Sequence, residues 1–179
     1  MAGHNKWAQI KHKKAITDAR KSKIFSKVVR LIATEAKIAK GDKNAPGLRA
    51  AIEKAKKVNM PAENIERAIK KANEPSTQME AAIYEAYGPA GVGIIIETLT
   101  DNKNRTAQEI KHILSKNGFS LAGIGSVSWS FIKEKTPEGF IWKPNTLISL
   151  SDEDLVLLDK LVDELEESDD VQEVFTNAE

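Results

Sequence analysis

The chain has no cysteine, only three histidines, and aromatic residues at just 6% of its 179 positions. Without cysteine it has no disulfide, no thiolate nucleophile and no cysteine zinc site, and a cytoplasmic location is the default for such a chain. No apolar run approaches the roughly 18 residues of a membrane span. The first residues lack the apolar h-region of about 7–15 residues that marks a secretory signal. Their charge is mainly lysine and includes Asp18, which fits an Arg-rich transit peptide poorly. His4 and His12 stand without a carboxylate pair nearby, and His112 stands alone, so no metal site is expected. Gly88, Gly91 and Gly93 spell neither a dinucleotide fingerprint nor a P-loop; they read as a hairpin turn, and no cofactor is implied. No nucleophile–base–orienter set can be read from the sequence, so neither an enzyme nor a small-molecule substrate is expected.

What the chain has is segregated charge. Residues 1–75 hold 19 Lys+Arg against 7 Asp+Glu, and residues 76–179 hold 8 against 19, although the whole is only +1. A basic module carried on an acidic one points to a polyanionic partner for the first. Attraction between the two halves is the plainer alternative. The densest stretch is the start: Lys6, Lys11, Lys13, Lys14, Arg20, Lys21, Lys23, Lys27 and Arg30 are opposed by Asp18 alone. Lysine and arginine neutralise phosphates and release counterions, which supplies most non-specific nucleic-acid affinity. Arg20, Lys23, Lys27 and Arg30 recur at helical spacing beside an Ile24/Val28/Leu31 stripe, so one helix can bury its apolar side and present a row of cations. Trp7, among the lysines, is placed to stack on a base, and His12 to touch phosphate. Asp101–Arg105 forms a polar loop at a strand end. It reads mainly as a solvated lead-in to a helix, with Lys103 and Arg105 as a possible second anion contact.

Residues 1–14 show no clear period. Helical stripes then run from about residue 15 to Gly41, from Pro46 to Val58, and onward from Pro61; together they predict a three-helix bundle. The second half changes period. Strands are predicted around Ala82–Tyr87 and over Val92–Leu99. A helix capped by a Thr106/Glu109 box should follow. Val127, Trp129 and Phe131 alternate with serines, predicting a further strand with Trp129 in the core. Strand segments around 140–150, a helix capped by Ser151 and a strand at 171–175 complete the pattern. The ten carboxylates of 152–170 read as that helix's solvated face. The predicted class is α+β: an N-terminal three-helix domain over 1–75, then a ferredoxin-like sandwich over 76–179 with both helices on one face.

Several of these stretches also resemble a known family. MAGHNKWAQIKHKKAITDARKSKIFSK, LRAAIEKAKKVNMPAENIERAIKKA, YEAYGPAGVGIIIETLTDNKNRT, GSVSWSF and PNTLISLSDEDLVLLDKLVDELEESDDVQEVFTNAE are similar to the YebC family, over nearly the whole chain. The resemblance implies a probable transcriptional regulator binding DNA. It also implies the alternative of a translation factor or activator acting on the ribosome through rRNA or tRNA, easing passage through stretches such as proline runs. Mitochondrial relatives of the family are translational activators of cytochrome oxidase. Typical members carry a third α/β domain before the last helix; here Lys133–Gly139 stands in its place as a short linker. A protein–protein adaptor working through the acidic domain is the remaining alternative.

Overall fold

The computed structural model describes residues 6–13, 17–72, 74–75 and 78–179. By packing, these residues form two units.

One unit is helical. It contains α2 (Asp18–Ile38), α3 (Pro46–Lys57) and α4 (Ala62–Lys71). Thr17 starts α2 by accepting a hydrogen bond from the Arg20 N–H at 3.3 Å. Gly41, at φ +82°, ends it by donating to the Ala36 carbonyl at 2.9 Å; that left-handed geometry suits glycine. Proline opens α3, where the missing N–H leaves no bond unmade. The three apolar stripes meet in one core of Val28, Ile32, Leu48, Ala51, Ile65 and their neighbours. The alanines Ala36, Ala51, Ala55 and Ala68 line the contacts between these helices. The three-helix bundle is thus present, within about three residues of the predicted bounds.

The other unit joins α1 (Lys6–Lys13) to residues 80–133 and 142–179. Its sheet has four antiparallel strands: β1 (Glu80–Tyr87), β2 (Gly93–Thr100), β3 (Ser120–Leu121) and β6 (Val171–Thr176), in the order β3-β1-β2-β6. α5 (Lys103–Lys116) and α6 (Asp152–Glu167) cover one face, where Ile94, Ile96 and Val174 meet Ile110, Leu114, Leu158 and Leu161. A smaller cluster of Ile95, Val127 and Phe131, with Trp142 and Phe175 against it, covers the other face. The two helices share one face of an antiparallel sheet, as the α+β reading requires. β4 (Phe131–Thr136) and β5 (Gly139–Pro144) form a two-stranded ribbon of their own, of which residues 134–141 belong by packing to the helical unit.

Four expectations are corrected. First, residues 6–13 are a helix, and it packs in the sheet unit rather than with α2–α4. Trp7 is buried there and Ile10 packs beside it. Second, residues 126–130 are not a strand. They make a turn and a short 3-10 segment, Ser128–Ser130, in which Val127 and Phe131 are buried while Trp129 is 66% exposed. Third, the linker 133–139 is most of β4 and its turn into β5, closed by Thr136 Oγ1 donating to the Gly139 carbonyl at 2.9 Å. Fourth, Asn102 rather than a Thr106 box caps α5; its side chain accepts from the Arg105 N–H at 3.1 Å.

Candidate nucleic-acid interface

The predicted contacts divide between the two units. On α1, Trp7 is 7% exposed and lies in the core of the sheet unit, so its ring has no face for a base. Its backbone N–H donates to the Glu179 carbonyl at 3.3 Å. The Lys6 ammonium pairs with Asp152, at the first turn of α6, and its hydrogen bond and charge draw the Asp152 pKa below its ordinary value. Lys11 donates to the Val174 carbonyl at 3.4 Å and stands 3.9 Å from the Glu166 carboxylate. Two of the expected phosphate contacts therefore tie α1 to α6 and β6 through the acidic face. His12 and Lys13 are carried on the α1 backbone, with side chains outside the described set, and Lys14 lies outside the described residues.

The remaining predicted cations sit on α2. Arg20, Lys23, Lys27 and Arg30 are half-buried and each has an interaction of its own, so the row is not the bare outward face that its spacing suggests. Lys21 is exposed, its ammonium 5.7 Å from the centre of the Phe25 ring. The most open charge of the helical unit lies elsewhere. Lys40, Arg49, Lys70 and Lys71 are exposed and have no ion pair among the described residues. They lie at helix ends and in loops, so they mark no single stripe in the sequence. Lys70 and Lys71, in the last turn of α4, also suit the negative end of its dipole.

The second expected anion contact is occupied from within. Lys103 pairs with Glu80 at 2.7 Å. Arg105 bonds Asp101 at 2.7 Å and Asp170 at 2.8 Å. Asp170 is buried and also accepts from Thr106 Oγ1 at 2.8 Å and Thr100 Oγ1 at 3.1 Å. Burial alone would raise its pKa; the hydrogen bonds from Arg105, Thr106 and Thr100 outweigh burial and hold it low. This is an anchor joining β2, α5 and the approach to β6.

A feature that sequence reasoning missed is the loop 122–129. Glu85, in the middle of β1, is 7% exposed. Its carboxylate accepts from the N–H groups of Gly125 at 2.7 Å, Val127 at 2.6 Å and Ser128 at 2.9 Å. Burial pushes its pKa up, but these donors more than compensate and set it below the usual carboxylate value. The loop so held displays Ile124, fully exposed, and Trp129. Two signals were available: Gly123 and Gly125 flank Ile124, which suits no regular strand, and residues 117–132 carry no charged side chain within an acidic half.

The architecture defines a class: an α+β protein with one basic three-helix unit and one acidic unit of sheet and helices. The comparisons give the family. The TACO1/YebC protein N-terminal domain model matches residues 5–75, and the TACO1/YebC second and third domain model matches residues 79–138 and 133–178. The chain belongs to the TACO1/YebC family. The two pieces of the second match meet on the β4–β5 ribbon. A protein of Fervidobacterium nodosum is 40% identical, over 99% of this chain and 93% of its own. One of Thermosipho africanus is 47% identical, over 96% of this chain and 68% of its own. Each is named a probable transcriptional regulatory protein. The crystal structure of a conserved hypothetical protein of Aquifex aeolicus is similar with a TM-score of 0.78 at 34% identity, covering 97% of this chain and 96% of that one. Among the described residues no helix is long and apolar enough to cross a membrane, and no group of His, Asp and Glu is placed to hold a metal.

Proposed function

We propose that this protein is a non-enzymatic regulator of gene expression that binds nucleic acid through the helical unit. One observation carries the reading. With α1 assigned to the other unit, residues 17–72 still hold 15 Lys+Arg against 6 Asp+Glu. That excess, with Lys21, Lys40, Arg49, Lys70 and Lys71 exposed, suits a polyphosphate backbone. The relatives' name, probable transcriptional regulatory protein, favours DNA as the target. A second reading, RNA of the ribosome, is favoured by the composition of the grip. Eleven of the fifteen cations are lysines, point charges that suit phosphates better than the planar, bidentate reading of base edges.

The test is fluorescence anisotropy of duplex DNA and structured RNA against salt. Binding should weaken by about 10³-fold or more between roughly 50 and 200 mM salt if six or more phosphates are engaged. The combined K21E, R49E, K70E and K71E variant should lose affinity for every sequence alike. Salt-insensitive binding, or full affinity in that variant, would overturn the phosphate reading. Sedimentation of an extract, with the bound nucleic acid sequenced, separates promoter DNA from ribosomal RNA.

A further inference from the structure

We infer that the Glu85-held loop is a stacking platform for unpaired bases of an RNA, with Trp129 as the stacking ring and Ile124 as a wedge. The inference rests on the nucleic-acid reading above and adds a contact to bases.

Three observations carry it. The loop is built to be rigid. The three backbone donors form a nest around the Glu85 carboxylate. Ser126 turns back on Gly123, its N–H donating to the Gly123 carbonyl at 3.1 Å, and Gly125 takes φ +85°. The Ser126 carbonyl accepts from both the Trp129 Nε1–H, at 2.8 Å, and the Tyr87 hydroxyl. The indole is thus tethered by its only donor while 66% of the residue faces solvent.

The display is apolar without packing need. Ile124 is 100% exposed and contributes nothing to any core, so a polar residue would serve the fold as well. An exposed isoleucine and a tethered tryptophan on one loop supply the two side-chain types that unstack and receive bases: apolar wedges enter base steps, and aromatic faces stack on any base.

The charge excludes the competing partner type that the acidic unit otherwise favours. No charged side chain occurs from 117 to 132, and the Glu85 charge is enclosed by donors, so a basic protein segment finds no complement here. A neutral platform suits a base and not a phosphate. Splayed-out bases are characteristic of RNA loops and single strands.

The experiment compares an unstructured RNA oligonucleotide with an abasic strand of the same length, titrated into full-length protein at low salt. Trp129→Ala should weaken the base-bearing strand by about 5- to 150-fold, the range for one stacked base. It should leave the abasic strand and the salt slope unchanged. Trp129→Phe, which keeps a ring but loses the tether, should retain most of the affinity, and Ile124→Ser should weaken the base-bearing strand alone. Thermal unfolding of each variant shows whether the fold is intact. If wild type binds both strands equally and Trp129→Ala changes neither, the platform is overturned while the phosphate grip stands. If wild type binds neither strand, the nucleic-acid reading itself falls. In a second arm, a photoreactive residue at position 124 is irradiated in extract. Adducts removed by ribonuclease are expected; adducts removed only by deoxyribonuclease, or a nuclease-resistant protein adduct, would overturn the RNA assignment.

Discussion

Two buried carboxylates decide much of the sheet unit, and both act through charge. Glu85 and Asp170 each have a pKa held below the ordinary value, the first by backbone donors and the second by Arg105, Thr106 and Thr100. A carboxylate whose folded pKa is lowered stabilises the fold fully above its unfolded pKa, and that stabilisation is lost as pH falls through the lowered folded value. Glu85→Gln should therefore cost about 1–3 kcal/mol at neutral pH, since an amide oxygen replaces a charged acceptor of three bonds. In urea titrations the gap between wild type and E85Q should narrow steadily on acidification below the usual carboxylate range. A gap independent of pH would mean that Glu85 acts by shape alone. Neither residue stands out in the sequence. Glu85 occupies an alternating strand position, and its donors lie about forty residues on. Asp170 sits in an acidic run that reads as solvated surface, yet its guanidinium partner is 65 residues away.

At the scale of elements, the legible ones are those whose signal is local. The helices α2 to α4, α5 and α6 each carry a stripe with a start or stop residue beside it, and the sequence places them well. The misread elements depend on distant partners. Residues 126–130 alternate apolar and polar as a strand does, but Glu85 gathers their N–H groups and turns them. The candidate site suffers the same way, because exposure of Trp129 follows from that turn and not from its neighbours in sequence. α1 lacks a stripe of its own, since eight residues with one tryptophan and one isoleucine need few apolar positions to dock. Trp7→Ala should accordingly destabilise the sheet unit by about 3–5 kcal/mol, as large buried side chains do. Urea unfolding followed by sheet-sensitive circular dichroism measures it. An unchanged midpoint would show that α1 is a tail after all.

At the scale of the whole molecule, two units with separate cores carry opposite charge. Each core should respond to its own damage. Ile32 is fully buried among α2, α3 and α4, and Ile32→Ala should cost about 2–5 kcal/mol there. Amide hydrogen exchange of I32A should accelerate in α2–α4, and that of W7A in α1, α6 and β6. Exchange rising in α2–α4 of W7A instead would mean that α1 belongs to the helical core. The ordering of the units along the chain adds a consequence for synthesis. The sheet unit is begun by α1, interrupted by the whole three-helix bundle, and closed by residues 171–179, where Val174 and Glu179 offer their carbonyls to α1. On a ribosome the bundle can complete its core while Trp7 has no partner. α1 is therefore made well before the elements on which it docks, and until α6 is made Lys6 and Lys11 lack the acids that later hold them.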